Sequence, residues 1–229
     1  MKSPTLPFSP CPTRPEVRLA VFASGSGTTF AALADAAARG ELGPAEVTLL
    51  VSDRAGAGAL KRAEKRGIAT GRAAPDDDGH ADDLLRLLRA NDIDFIALAG
   101  YLRKVPSPVV NAFREKILNT HPALLPAFGG KGMYGQRVHE AVLDYGARWT
   151  GATIHLVEEE YDTGPVVLQQ PVPVRPGDTP RALAERVKRA ERRLYPEAVC
   201  LFATSRVTVE GRRVTIDDDP LAKRRAPDF

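Results

Sequence analysis

The sequence predicts an α/β protein with a Rossmann-like, mostly parallel twisted sheet and helices on both faces. Three observations carry that reading. Short, nearly continuous apolar runs alternate with amphipathic stretches, the pattern of strands buried on both faces by crossover helices. A run of small residues, SGSGTT at 24–29, separates the first apolar run from the first helical stretch. The run ILNTHPALLP at 117–126 carries a polar Asn-x-His pair at the end of an apolar strand, followed by two prolines. In open α/β sheets ligands bind at the carboxyl ends of strands.

Each element follows from its local pattern. Residues 17–24 (VRLAVFAS) read as a buried strand, followed by glycines and an alanine-rich helix to about Arg39. Residues 46–53 (EVTLLVSD) give a second strand, 58–66 a helix and 68–73 a short third strand. At 81–90 (ADDLLRLLRA) leucines fall at helical spacing with charges opposite. Residues 94–100 (DFIALAG) form another strand and 107–113 a short helix leading back to the strand at Ile117. A helix over 136–145, strands over 151–157 and 166–174, a charged helix over 180–194 and a hairpin over 206–216 turning at Glu210-Gly211 complete the chain. The expected organisation is a proline-rich arm (1–16), one domain (17–216) and a charged tail (217–229).

Bulk properties exclude several classes. Thirty-two basic and 29 acidic residues leave a net charge of +3, with arginine scattered, so no nucleic-acid surface is expected. Cys11 and Cys200 stand alone and the four histidines show no ligand spacing, so no metal and no disulfide framework are expected. No apolar run approaches the ~20 residues of a membrane span. A cytoplasmic protein, monomeric or homodimeric, handling small molecules is the expectation.

Three stretches bear chemistry. Asn119 and His121 alternate on one strand, so they share a face while Thr120 points away. A carboxamide and an imidazole together stabilise a developing oxyanion and move a proton near neutral pH. The competing reading is a turn asparagine and a satisfied core histidine. In the loop Gly25-Ser26-Gly27-Thr28-Thr29, small residues let backbone N–H groups approach an anion at a helix N-terminus. The loop lacks the Gly-Lys-Ser/Thr of a Walker motif, and the third glycine of a dinucleotide fingerprint would fall at Phe30. A phosphate without an adenine dinucleotide is therefore favoured over a plain turn capped by Thr28 or Thr29. In TGATIHLVEEEYDTGP at 150–165, His155 lies on a strand, Glu158, Glu159 and Glu160 read as a solvated run, and Asp162 sits before a Gly-Pro turn. Should Asp162 meet His121, it would favour the imidazolium and raise that pKa. His80 and His139 read as structural or solvated.

Together SGSGTT, AGYLRKV at 99–105, LNTHPALLP, GATIHLVEEEYDTGP and VKRAERRLYP at 187–196 resemble the folate-dependent formyltransferases, in particular the branch acting on glycinamide ribonucleotide in purine synthesis. The resemblance spans 18–196. It implies catalytic Asn119, His121 and Asp162, and a ribotide site of Gly25, Ser26, Gly27, Thr28 and Thr29 with Lys188 and Glu191. It further implies a folate pocket of Leu102, Arg103, Lys104 and Val105 facing Glu158, Glu159, Glu160 and Tyr161, with His155 beside the active site. The chain departs from the family at Thr29, where relatives usually carry Asn, and at the acidic run Asp76–Asp78, where many carry an arginine near the folate tail. The glycine-rich 128–135 (FGGKGMYG) is expected to be a mobile loop.

The implied reaction moves the formyl group of 10-formyltetrahydrofolate, a co-substrate, to the ribotide amine. Asn119 and a protonated His121 would donate to the oxyanion, with Asp162 orienting His121. Neither a metal nor a covalent intermediate is called for. The rivals are a formyltetrahydrofolate hydrolase, a tRNA-directed formyltransferase and a non-catalytic nucleotide-binding regulatory module. Only ~16 residues precede the domain and ~35 follow Leu194, which weighs against the extra domains of the first two.

Overall fold

The structure, a computed structural model, describes residues 17–73 and 80–217. The proline-rich arm, the run Asp76–Asp78 and the tail beyond Asp217 lie outside the described residues. The elements are β1 (Val17–Phe22), α1 (Thr28–Ala38), β2 (Ala45–Ser52), α2 (Gly58–Glu64), β3 (Ala69–Arg72), α3 (His80–Ala90), β4 (Phe95–Leu98), α4 (Ser107–Ala112), β5 (Ile117–His121), α5 (Gln136–Asp144), β6 (Trp149–Leu156), β7 (Val166–Pro173), α6 (Pro180–Ala203), β8 (Val207–Glu210) and β9 (Arg213–Ile216).

Seven strands form one sheet in the order β3-β2-β1-β4-β5-β6-β7. The pairs among the first five are parallel, and β6 and β7 add antiparallel. Strand order reverses between β1 and β4, which opens a crevice at their carboxyl ends. The two-residue side-chain period divides the core: Leu19 and Val21 pack with residues of α1 and α6, while Ala20 and Phe22 pack with α3 and α4. β8 and β9 form a separate hairpin with Glu210 opposite Arg213, so the turn is Gly211-Arg212, one residue later than expected.

The largest departure from the sequence reading is α6, which continues past Leu194 to Ala203 with Pro196 inside it. A proline removes one helical N–H and usually ends a helix. Here Leu194, Tyr195, Ala198, Val199 and Leu201 are all buried around it. Burial of that face outweighs the lost bond, each large apolar side chain contributing roughly 1.5–3 kcal/mol.

Candidate active site

β5 ends at His121 beside β6, with Asn119 opposite His155 and His121 opposite Thr153. Thr153 locks the chain beyond β5. Its hydroxyl donates to the Ala123 carbonyl (2.7 Å) and accepts from the Leu125 N–H (3.1 Å). Gln169 on β7 donates to both Thr153 Oγ1 and the Leu125 carbonyl. A register shift at Ile154/His155 in the β6–β7 pairing falls beside the site, where such irregularities re-aim side chains.

Asp162 joins from the loop after β6. Its backbone is left-handed (φ 58°), a conformation that Asp and Asn tolerate better than other non-glycine residues. Gly164 lets the chain pass directly against the Leu156 carbonyl, where a Cβ would not fit. The Asp162 carboxylate lies 3.5 Å from His121 Nδ1 and 3.5 Å from His155 Nε2, and accepts from the Gly130 N–H at 2.8 Å. Burial works to raise its pKa, but His155, His121 and the Gly130 N–H together overcome that and hold it below the ordinary carboxylate value.

The hydrogen bonds assign the protons. His155 Nδ1 is 2.7 Å from the Leu156 carbonyl and donates to it, while Nε2 lies 3.0 Å from Asn119 Nδ2 and 3.5 Å from the Asp162 carboxylate. That fixes the carboxamide of Asn119 and leaves its second N–H for a ligand. His121 Nε2 is 2.9 Å from the Phe128 carbonyl and donates to it, while Nδ1 faces Asp162. Both ring nitrogens therefore face acceptors, which favours the imidazolium. Burial opposes this and is the larger effect, so the His121 pKa is lowered rather than raised. The sequence reading had the sign of the Asp162 contribution right and missed the burial: His121 is 3% exposed.

The first residues of the 128–135 loop are thus tied down, through the Phe128 carbonyl and the Gly130 N–H. The sequence signal for this was available only as glycine content.

At the end of β1, Gly27 is the N-cap of α1 in a left-handed conformation (φ 73°), and no side chain caps the helix. Neither Thr28 nor Thr29 serves as the cap. Ser24, 2% exposed, ties this loop to the one after β4: its N–H donates to the Gly100 carbonyl (3.1 Å) and its Oγ accepts from the Leu102 N–H (2.9 Å). Lys104 lies 5.9 Å from the Tyr161 ring centroid, so the two expected folate walls face each other. Leu102 and Tyr161 present exposed apolar surface, Val105 is buried, and Glu158, Glu159 and Glu160 are all exposed. Arg103 turns toward Asp53 at the end of β2 (3.5 Å), a partner the sequence did not signal.

Thr120 points to the other side of β5, where its hydroxyl donates to Glu191 Oε1 (3.1 Å). Burial raises the Glu191 pKa. Lys188 pairs with Glu185 at the surface (3.1 Å), and its charge is felt at both Glu191 and His139. His139 is buried and neutral, its pKa pushed down to about 4 by burial, Lys188 and His121. A cavity of about 370 Å³ lies at the opposite ends of the strands, against Phe95, Lys116 and Phe202, and takes no part in this cluster.

The profile of the family described as Formyl transferase matches residues 17–199. The chain belongs to the formyl transferase family. It is 44% identical over 195 residues to a chloroplastic phosphoribosylglycinamide formyltransferase of Arabidopsis thaliana, covering 83% of this chain and 66% of that one. A phosphoribosylglycinamide formyltransferase of Mycobacterium tuberculosis is 42% identical over 208 residues, covering 90% and 94%. Among solved structures, glycinamide ribonucleotide transformylase 1 from Symbiobacterium toebii superposes with a TM-score of 0.83 at 40% identity, over 88% of this chain and 94% of its own. The α/β fold is the one these transformylases share. Among the described residues of this family member, no group of three or more His, Cys, Asp or Glu side chains is placed to hold a metal ion. Nor is any described helix long and apolar enough to cross a membrane.

Proposed function

We propose that this formyl transferase moves the formyl group of 10-formyltetrahydrofolate to the amine of 5'-phosphoribosylglycinamide, in the cytoplasm and as a step of purine biosynthesis. The observation that carries the reading is the convergence of Asn119, His121 and Asp162 at the end of β5, in the crevice that the uncapped glycine loop of β1 also borders.

In this reading the neutral amine attacks the formyl carbon. A C–N bond to the ribotide forms, the bond to folate N10 breaks, and one proton passes from the amine to N10. The free N–H of Asn119 donates to the tetrahedral oxyanion. His121 starts neutral, because burial depresses its pKa. It takes up the amine proton as the oxyanion develops, and the Asp162 carboxylate at Nδ1 stabilises the charge so formed. For Nε2–H to reach the oxyanion, it leaves the Phe128 carbonyl that it now holds. The phosphate rests on backbone N–H groups of Gly25–Thr29, with Lys188 and Glu191 beyond, and the folate ring enters between Leu102–Val105 and Glu158–Tyr161.

The test follows absorbance on mixing with 10-formyl-5,8-dideazafolate, with and without the ribotide. Deformylation that needs the ribotide and is lost in His121→Ala supports the transferase. Deformylation without ribotide supports a hydrolase, and ribotide binding with no deformylation supports a regulatory module.

A further inference from the structure

The start of α2 packs against the glycine loop. The Arg62 Nε–H donates to the Ser26 carbonyl at 2.8 Å, and the Ala59 N–H donates to the Gly25 carbonyl at 3.1 Å. A Cβ on Gly27 would sit 2.6 Å from Ala59 Cα, and one on Gly58 would sit 3.2 Å from the Ser26 carbonyl oxygen. One turn on, Arg66 grips Asp35 of α1 at 2.8 Å. A short helix with one buried face, Ala59 and Ala63, thus backs the loop, and the residues just past its end are pinned to the helix that the loop opens.

In a planar trans peptide the carbonyl and the following N–H point in opposite directions. With the Gly25 and Ser26 carbonyls both turned onto α2, the N–H groups of Ser26 and Gly27 both point away from it. Among the described residues neither N–H has a hydrogen-bond partner. Successive N–H groups aimed at one side make an anion-binding concavity.

We propose that Arg62 is a positioning residue for the phosphate seat: by holding the Ser26 carbonyl on the α2 side, it keeps the Gly27 N–H aimed at the phosphate. The inference rests on the ribotide reading above. Arg62 does not touch the substrate. It fixes a peptide plane that would otherwise have to be ordered on binding, so its loss falls on affinity rather than on the chemical step. A hydrogen bond from a charged donor is strong enough for a loss of about tenfold.

The experiment titrates the ribotide and its dephosphorylated riboside into wild type, Arg62→Ala and Arg62→Lys, with melting temperatures to confirm folding. Steady-state kinetics then gives KM for each substrate and kcat. Arg62→Ala is expected to bind the ribotide about tenfold more weakly and the riboside as before, with the rise in ribotide KM exceeding any change in kcat or folate KM. Arg62→Lys keeps the charge but loses the planar Nε–H, and is expected to behave as Arg62→Ala. A lysine variant equal to wild type would overturn positioning in favour of charge alone. An alanine variant that keeps the full preference for ribotide over riboside would also sink the proposal. Should wild type itself show no such preference, it is the phosphate reading of the loop that fails, independently of Arg62.

Discussion

At the end of β5, four side chains from three segments meet in a cluster of two buried histidines with half-buried Asn119 and Asp162, held by hydrogen bonds of 2.7–3.0 Å and carboxylate–imidazole distances of 3.5 Å. At the end of β1 the groups proposed to bind are backbone N–H groups of a loop whose Gly25 and Ser26 are exposed. In the proposed reading the first region works through titratable groups, with burial dominating at His121 and hydrogen-bonding partners prevailing at Asp162. The second offers a fixed dipolar surface that does not titrate. Bond-making is thereby assigned to one region and grip on the ribotide to the other, and each assignment can be attacked separately.

The sharpest break is at the β5 end. His121→Ala and Asn119→Ala are each expected to lower kcat by ~10²–10³ while leaving the ribotide Kd, measured by calorimetry, near wild type. An equal fall in affinity would mean the two regions are not separable. Asp162→Asn should lose activity without loss of fold, because Asn tolerates the left-handed backbone, whereas Asp162→Ala should also lower the melting temperature. Next comes Gly27→Ala, which combines a positive φ with contact against Ala59. Ribotide KM is expected to rise about tenfold, in line with strain of roughly 1–3 kcal/mol, with kcat preserved.

A smaller effect tests the folate wall. Lys104→Ala removes a cation–π contact worth about 0.5–1 kcal/mol, so folate KM should rise about two- to fivefold and ribotide KM stay put. The last prediction concerns stability. His121 and His139 have folded pKa values below the ordinary 6.5, so as pH falls the unfolded chain takes up the proton first. Their stabilisation is intact above 6.5 and is lost progressively below it, down to about 4 for His139. Thermal melts between pH 7 and 4.5 should show a falling midpoint, and His139→Gln should flatten the fall. A midpoint that rises on acidification would contradict the burial of these rings.

The comparison also separates what was legible in the sequence. The glycine loop was readable as an uncapped strand-to-helix turn because its role there lies in the backbone, and small residues between a strand and a helix advertise that directly. Asn119 and His121 were readable as a pair because strand alternation puts them on one face. Asp162 was readable only through resemblance, since nothing local says that a loop 41 residues beyond His121 returns to it. The Phe128 carbonyl, the Asp53 partner of Arg103 and the Thr153–Gln169 lock were not legible, because each depends on backbone or side-chain placement across strands distant in sequence. The depressed pKa of His121 belongs to the same class, as it depends on how many neighbours exclude water. The run of α6 through Pro196 was misjudged for the converse reason: a strong local rule gave way to the burial of one helix face.

Ser24 sits between the two neighbouring strand ends that open the crevice, holding Gly100 with its N–H and Leu102 with its hydroxyl. The loop proposed to seat the phosphate and the loop proposed to wall the folate leave paired strands, which run about 4.8 Å apart, and Ser24 ties the two loops together from within. Such a clamp acts as a ruler. Inhibitors that join a phosphate to a folate-like ring should show a sharp optimum in linker length, and relaxing Ser24 to alanine should blur that optimum before it weakens either half alone.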